Sequence, residues 1–228
     1  MMWLIIILFM LLGMVVSGQL KRRFREYSRG MLSSGLSGRE IAEKMLRDNR
    51  INDVNVISVK GQLTDHYNPT DKTINLSEEV YHGRSIAAAA VAAHETGHAV
   101  QHATDYAFLK LRSSLVPVVS ISSKFMHYIL LGGMFIGFSY MMYLDKVLLA
   151  VIIAQSLLAL FSLITLPVEI DASQRALAWL NSSQITRGEE HDKAANALKW
   201  AGMTYVVAAL SSIAMLLYFV MQFAGRRD

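Results

Sequence analysis

Four long apolar segments constrain this chain more than any other feature of its sequence. Their approximate bounds are 1–17, 125–144, 147–168 and 201–225, and each is close to the ~20 residues that a helix needs to cross a bilayer. The hydrophobic share of the whole sequence, 53%, exceeds that of an ordinary soluble domain. The sequence therefore predicts a mainly α-helical membrane protein with about four transmembrane helices.

The first apolar segment is expected to stay in the protein as an anchor. No basic residue precedes its apolar run, and the residues that follow it, SGQLKRRFREY, contain no A-x-A-like cleavage site. We therefore expect residues 1–20 to form an N-terminal transmembrane anchor, because a cleaved signal peptide would need both features.

Basic residues directly after this anchor predict the orientation of the chain. Lysine and arginine are enriched on the cytoplasmic side of membrane proteins, and the run KRRFR occupies 21–25. This asymmetry accounts for the net charge of +4, so we expect a lipid bilayer and no nucleic acid as partner. The prediction is a multi-pass plasma-membrane protein with a cytoplasmic domain at 21–124, a transmembrane hairpin at 125–168, a second cytoplasmic segment at 169–200 and a transmembrane helix at 201–228.

The predicted cytoplasmic domain has the pattern of a small α/β unit. Ser37 is a suitable N-cap for an amphipathic helix over 38–49. β-branched residues predict a strand around 54–57 and, after a turn, a second strand at 73–76 that is antiparallel to the first. An alanine-rich helix is predicted over 85–103.

The alanine-rich helix carries an HExxH motif at 94–98. Residues four apart share a helix face, so His94 and His98 can present two imidazole nitrogens to one Zn²⁺ ion. Glu95 is then offset to the side of the metal, where it can accept a proton from zinc-bound water. The motif predicts a zinc hydrolase.

A catalytic zinc site needs a third protein ligand, and the sequence contains no cysteine to supply it. One known arrangement continues the motif with a glycine and a third histidine, but those positions hold Gln101 and Thr104 here. His102 lies one turn beyond His98. Three successive turns of a straight helix do not easily reach one tetrahedral ion, so we expect His102 either to support the ligands or to lie at the surface.

Glu169, directly after the third apolar segment, is the best candidate for the third ligand. A carboxylate at the membrane edge is unfavourable unless it is paired or bound to metal. Two predicted spans separate His98 from Glu169, so both residues emerge on the same side of the membrane. Asp171 is the alternative, either as the ligand itself or as a hydrogen-bond partner of a zinc-binding histidine.

Several motifs beyond 94–98 occur together in one known family. They are SIAAAAVAA followed by HETGHAVQH at 85–102, LPVEIDASQRA at 166–176, LTDHYNP at 63–69 and NLS at 75–77. In this combination the chain resembles the YugP-type bacterial membrane zinc metallopeptidases over essentially its whole length. The wider group that it resembles is the glutamate-zincin (gluzincin) clan, which includes membrane proteases of the HtpX and CAAX-processing type.

This resemblance implies a zincin-like fold for the cytoplasmic domain and a metallopeptidase activity. It implies His94, His98 and Glu169 as ligands of Zn²⁺ and Glu95 as the general base. It further implies that the substrate lies as a strand against an edge strand that precedes the HExxH helix.

One position departs from the pattern of the clan. Many members have an aspartate four residues after the ligand glutamate, and here that position is Ser173. Asp171 lies two residues after the glutamate instead. Asp171, His102 and Arg175 are therefore the candidates for residues that support the ligands.

Hydrolysis at such a site uses the zinc ion to polarise the scissile carbonyl and Glu95 to accept a proton from water. The tetrahedral oxyanion needs a further hydrogen-bond donor. The sequence leaves that role open among Tyr67, His66, Arg175 and His191.

The leading hypothesis is a membrane-anchored zinc endopeptidase with its active site on the cytoplasmic side. Its substrates would be membrane or membrane-proximal proteins. One alternative is an intramembrane zinc protease, in which the helix over 86–103 lies inside the bilayer. The other is a non-enzymatic membrane assembly or interaction protein with a structural metal site.

Overall fold

The computed structural model describes residues 2–137 and 145–225, apart from the side chain of Met134. This part of the chain is mostly helical and contains one small sheet. The helices are α1 (Met2–Tyr27), α2 (Gly38–Asp48), α3 (Glu78–His82), α4 (Ile86–Ala103), α5 (Ala107–Ile136), α6 (Asp145–Ser182) and α7 (Glu189–Ala224). The strands are β1 (Asn55–Val59), β2 (His66–Asn68) and β3 (Thr73–Ser77).

Four helices in the described residues are long and apolar enough to cross a membrane, in agreement with the four apolar segments of the sequence. These stretches are Met2–Tyr27, Ala107–Gly133, Asp145–Ser182 and Glu189–Ala224. Each helix extends beyond its apolar segment, and the second begins well before the predicted residue 125. Hydropathy marks the part of a helix that lipid can surround, whereas backbone hydrogen bonding continues into polar residues. Residues 138–144 of the predicted hairpin lie outside the described residues.

The chain divides into two compact units. One is formed by Met1–Met14, Lys110–Pro167 and Tyr205–Asp228, and the other by Val15–Leu109 and Val168–Thr204. The first unit contains parts of the four apolar helices, and its buried cluster comprises Met2, Leu148, Val151 and Phe219. A buried glutamine in this unit, Gln155, donates to the carbonyl oxygen of Ser212 at 3.0 Å.

The second unit contains the sheet and the short helices. Helix α2 begins with a capping box, in which Ser37 accepts from the backbone N–H of Glu40 and the Glu40 carboxylate accepts from the backbone N–H of Ser37. Both bonds satisfy N–H groups that a helix start leaves without helical partners. One face of this helix, with Ile41 and Met45, is fully buried. The predicted helix and its cap are confirmed.

The sheet has the strand order β1-β3-β2. Strand β1 pairs with β3 in parallel, so the predicted antiparallel pairing of these two segments is wrong. The reason is a strand that the sequence did not reveal, β2, which pairs antiparallel with β3. The chain runs from β1 to the far edge of the sheet and turns back through β2 into β3, which leaves β3 parallel to β1.

Helix α4 spans Ile86–Ala103, close to its predicted bounds. Ser85 caps its start by accepting from the N–H of Ala88 at 3.2 Å. The alanines of its first half are buried and allow α4 to pack closely against α2, α3 and the sheet. An α/β unit is therefore present, while its zincin-like character stays a prediction.

Candidate metal centre

Two histidines on α4 and one glutamate on α6 converge in the second unit. The imidazole rings of His94 and His98 lie one turn apart and meet edge to face, with their centroids 4.8 Å from each other. Glu169 Oε2 lies 3.4 Å from His94 Nε2 and 3.6 Å from His98 Nε2. These three potential ligand atoms all lie within 4.8 Å of one another, as one bound ion requires.

Close contact between α4 and α6 brings the three side chains together. A Cβ atom added at Gly97 would lie only 2.6 Å from the carbonyl oxygen of Ala172. Gly97 is the fourth residue of the HExxH motif, and Ala172 lies almost one turn after Glu169. The absence of a side chain at Gly97 therefore sets how near the glutamate comes to the histidines.

The cluster is shielded from solvent. The side chains of His94, His98 and Glu169 are 12%, 9% and 3% exposed. Burial opposes a charged imidazole, but the hydrogen bond to Glu169 and the charges of Glu95 and Glu169 outweigh it, so the pKa of His98 is raised. Two carboxylates beside two imidazoles create a negative potential that suits a divalent cation.

Each imidazole has a second hydrogen-bond partner on the side away from the cluster. His98 Nδ1 lies 2.9 Å from Gln101 Oε1, and His94 Nδ1 lies 3.1 Å from Ser173 Oγ. The Nε2 atoms are the ones that face Glu169. Zinc-binding histidines commonly ligate through one nitrogen and hydrogen-bond through the other, so these residues fit a zinc ion.

Asp171 and Arg175 lie on the Nδ1 side of His98, beyond Gln101. Gln101 Nε2 donates to Asp171 Oδ2 at 2.8 Å and to the carbonyl oxygen of Val168, also at 2.8 Å. Arg175 Nε donates to the same Asp171 oxygen at 2.6 Å. Asp171 is thus linked to His98 through Gln101, and its role in supporting a metal ligand stays a prediction.

Glu95 follows His94 on α4 and is buried. Its Oε2 atom accepts from the backbone N–H of Tyr67 at 3.1 Å. Tyr67 lies in β2, the strand at one edge of the sheet. The general-base candidate is therefore held beside an edge strand, where an extended peptide could add to the sheet.

His102, on the same helix as Glu95, lines a small cavity. Its Nδ1 atom lies 2.7 Å from the hydroxyl of Tyr67. The cavity has a volume of about 130 Å³, and its lining includes Asp53, Lys72 and Ala99. His102 therefore contacts the edge strand through the Tyr67 hydroxyl, and its role in supporting the zinc ligands stays a prediction.

The four residues considered as oxyanion donors all have other hydrogen-bond partners. The Tyr67 hydroxyl pairs with His102, and Arg175 pairs with Asp171. The exposed His66 lies 2.8 Å from the carbonyl oxygen of Thr64, and His191 lies 3.1 Å from the hydroxyl of Thr186. These contacts favour none of the four over the others.

The sequence analysis did not identify two residues that contact the histidines, Gln101 and Ser173. Gln101 had served only to exclude a longer zinc motif, and Ser173 only to mark a departure from a related pattern. Their spacing held a signal, because Gln101 lies three residues after His98 and Ser173 four after Glu169, so each shares a helix face with a ligand candidate.

Comparison with known proteins gives consistent results. A family model described as "Putative neutral zinc metallopeptidase" matches residues 2–224. A protein of Bacillus subtilis (strain 168) named "Putative membrane protease YugP" is 43% identical over 210 residues, which cover 92% of this chain and 91% of that protein. No solved structure matches the chain. The resemblance drawn from the sequence motifs is confirmed.

Proposed function

Because the chain belongs to this family of neutral zinc metallopeptidases, we propose that it is a membrane-anchored zinc endopeptidase with Glu95 as general base. The observation that carries the proposal is the convergence of two imidazole nitrogens and one carboxylate oxygen within 4.8 Å. Glu95 stands beside this cluster on the same helix. Three protein ligands with an adjacent carboxylate form the usual composition of a catalytic zinc site.

His94, His98 and Glu169 would hold the ion through their Nε2 and carboxylate oxygen atoms. A bound zinc ion supplies a Lewis acid that polarises the scissile carbonyl and lowers the pKa of a water molecule. Glu95 accepts the proton of the attacking water and transfers it to the leaving amine. The N–H of Tyr67 fixes the direction of the Glu95 carboxylate before substrate arrives.

The proposed substrates are membrane or membrane-proximal proteins. Four helices long and apolar enough to span a membrane would hold the site-bearing unit at the bilayer, so that proteins in the same membrane reach it at a high effective concentration. The basic run at 21–25 supports a cytoplasmic position for the site. Strand β2 lies at the edge of the sheet, where an extended segment of substrate would bind, as the resemblance to glutamate zincins implies.

The observations support this proposal over the two alternatives. The four candidate spans found in the described part of the chain do not include Ile86–Ala103, which disfavours an intramembrane protease. A structural metal site in a non-enzymatic protein would have no need of a buried carboxylate oriented next to the ligands. Glu95 therefore favours an enzyme.

Replacing Glu95 by glutamine tests the proposal. We expect Glu95→Gln to keep zinc and to lose cleavage of an unfolded protein such as casein by at least ~100-fold. Glu43→Gln, a change at a partly exposed position on α2, is the matched control and should keep both properties. The protein would be reconstituted in lipid vesicles, and mass spectrometry would identify the cleavage products. Equal activity in wild type and Glu95→Gln would refute the proposed role.

A further inference from the structure

We propose that Gln101 is a positioning residue, which fixes the tautomer of His98 and holds the helix segment that carries Glu169. The proposal rests on the proposed function, in which both residues bind the metal. Gln101 is fully buried between α4 and α6. Its amide contacts His98 on one side and two groups of α6 on the other.

The orientation of the Gln101 amide follows from its partners on α6. The carbonyl oxygen of Val168 can only accept, and the Asp171 carboxylate, paired with Arg175, also only accepts. The amide nitrogen must therefore face both of them, as the two 2.8 Å contacts show. A flipped amide would place three oxygens against one another without a proton between them.

This orientation leaves Gln101 Oε1 facing His98 Nδ1 at 2.9 Å. An amide oxygen only accepts, so Nδ1 of His98 must carry the proton. The lone pair of the neutral imidazole then lies on Nε2, which faces Glu169. A histidine in this tautomer is ready to ligate a metal ion through Nε2, whereas the other tautomer presents a proton there.

Gln101 also connects the two helices that carry the ligands. Val168 directly precedes Glu169 and Asp171 lies two residues after it, so the amide nitrogen of Gln101 bonds to a backbone carbonyl just before the glutamate and to a side-chain carboxylate just after it. One buried amide thereby couples the orientation of the His98 imidazole to the position of Glu169. Ser173 cannot do this for His94, because a hydroxyl both donates and accepts.

The test is zinc affinity, measured by competition with a chromophoric chelator. Gln101→Met keeps the length of the side chain and removes all three hydrogen bonds. We expect its zinc affinity to fall 10- to 100-fold, the usual effect of losing a partner of a zinc histidine. The visible spectrum of the Co²⁺-loaded protein should change as well, since the ligand geometry is altered.

Gln155→Met is the matched control. Gln155 is another buried glutamine whose amide nitrogen donates to a backbone carbonyl. We expect its variant to keep the wild-type zinc affinity and Co²⁺ spectrum. An equal loss in both variants would overturn the proposal, since it would show a general effect of removing a buried amide.

A second variant, Asp171→Ala, distinguishes a positioning role of Gln101 from misfolding of the Gln101→Met variant. Asp171→Ala removes the anchor of Gln101 at a partly buried position, and it should weaken zinc binding less than Gln101→Met. The double variant should lose no more affinity than Gln101→Met alone, because both changes break one chain of contacts. Additive losses would show that Asp171 acts on the metal independently and would overturn the proposal.

The outcomes distinguish this proposal from the proposed function. A wild-type protein that binds no zinc would refute the proposed function and the positioning role together. A wild-type protein that binds zinc, with affinity unchanged within twofold in Gln101→Met, would refute the positioning role alone. Neither result depends on peptidase activity.

Discussion

Replacing Gly97 by alanine adds a single methyl group where α4 touches α6. The new Cβ would lie 2.6 Å from the carbonyl oxygen of Ala172, about 0.8 Å short of the 3.4 Å at which ordinary contact begins. That oxygen belongs to the backbone and cannot rotate away, so the helices must separate. A helix interior alone would favour alanine by about 1 kcal/mol, while overpacking of this kind costs about 1–3 kcal/mol.

The cost of overpacking exceeds the helix preference for alanine, so we expect Gly97→Ala to destabilise the protein by about 1 kcal/mol. The effect on metal binding should be clearer. A shift of about 0.8 Å between the helices displaces Glu169 from the histidines, whereas zinc ligand distances tolerate only about 0.2 Å. We therefore expect zinc affinity to fall at least about tenfold, or roughly 1.4 kcal/mol.

Thermal unfolding in detergent and chelator competition measure the two effects. Gly202→Ala is the matched control, since a Cβ at this helical glycine has no neighbouring atom within 4 Å among the described residues. That variant should gain stability and keep the wild-type zinc affinity. The reasoning is refuted if Gly97→Ala behaves like Gly202→Ala in both assays.

Further predictions concern the start of α2, the hydrogen-bond partner of His94 and the membrane topology. Ser37→Ala should lower stability by about 1 kcal/mol in thermal unfolding. The hydrogen bonds from Ser37 also lower the pKa of Glu40. The stability that this carboxylate contributes should therefore be present above pH 4.5 and lost as pH falls through the lowered pKa. If the stability of Glu40→Gln depended on acid pH in the same way as that of the wild type, this prediction would be wrong. Ser173→Ala should weaken zinc binding up to about tenfold, and Ser173→Asp should keep it, because a carboxylate oxygen at this position can accept from His94 Nδ1. The protein has no native cysteine, so single-cysteine variants can report its membrane topology. A membrane-impermeant maleimide added to intact cells should label Lys146→Cys and should not label Asn52→Cys. The reverse pattern would contradict a cytoplasmic site.

Local features of the fold could be predicted because the cause lies within a few residues. The cap of α2 needs only Ser37 and Glu40, three positions apart, and both side chains act on the start of the same helix. His94 and His98 share a helix face by spacing alone. The apolar segments identify the spans because hydrocarbon can surround only such side chains.

Features that depend on distant pairing could not be predicted in this way. The parallel pairing of β1 with β3 depends on β2, a strand of three residues followed directly by Pro69, which the sequence presents as a turn. The contacts of Gln101 and Ser173 cross from α4 to α6, more than 65 positions along the chain. Their residue types are ordinary, so only the tertiary structure shows what they touch.

Metal content of the purified protein tests the central claim most directly. We predict one tightly held zinc ion per chain in the wild type and none in His98→Ala or Glu169→Ala, with Gly202→Ala as a control that retains the ion. Zinc retained in Glu169→Ala but lost in His98→Ala would contradict the assignment of Glu169. A wild-type protein that holds no zinc after supplementation would contradict the account as a whole.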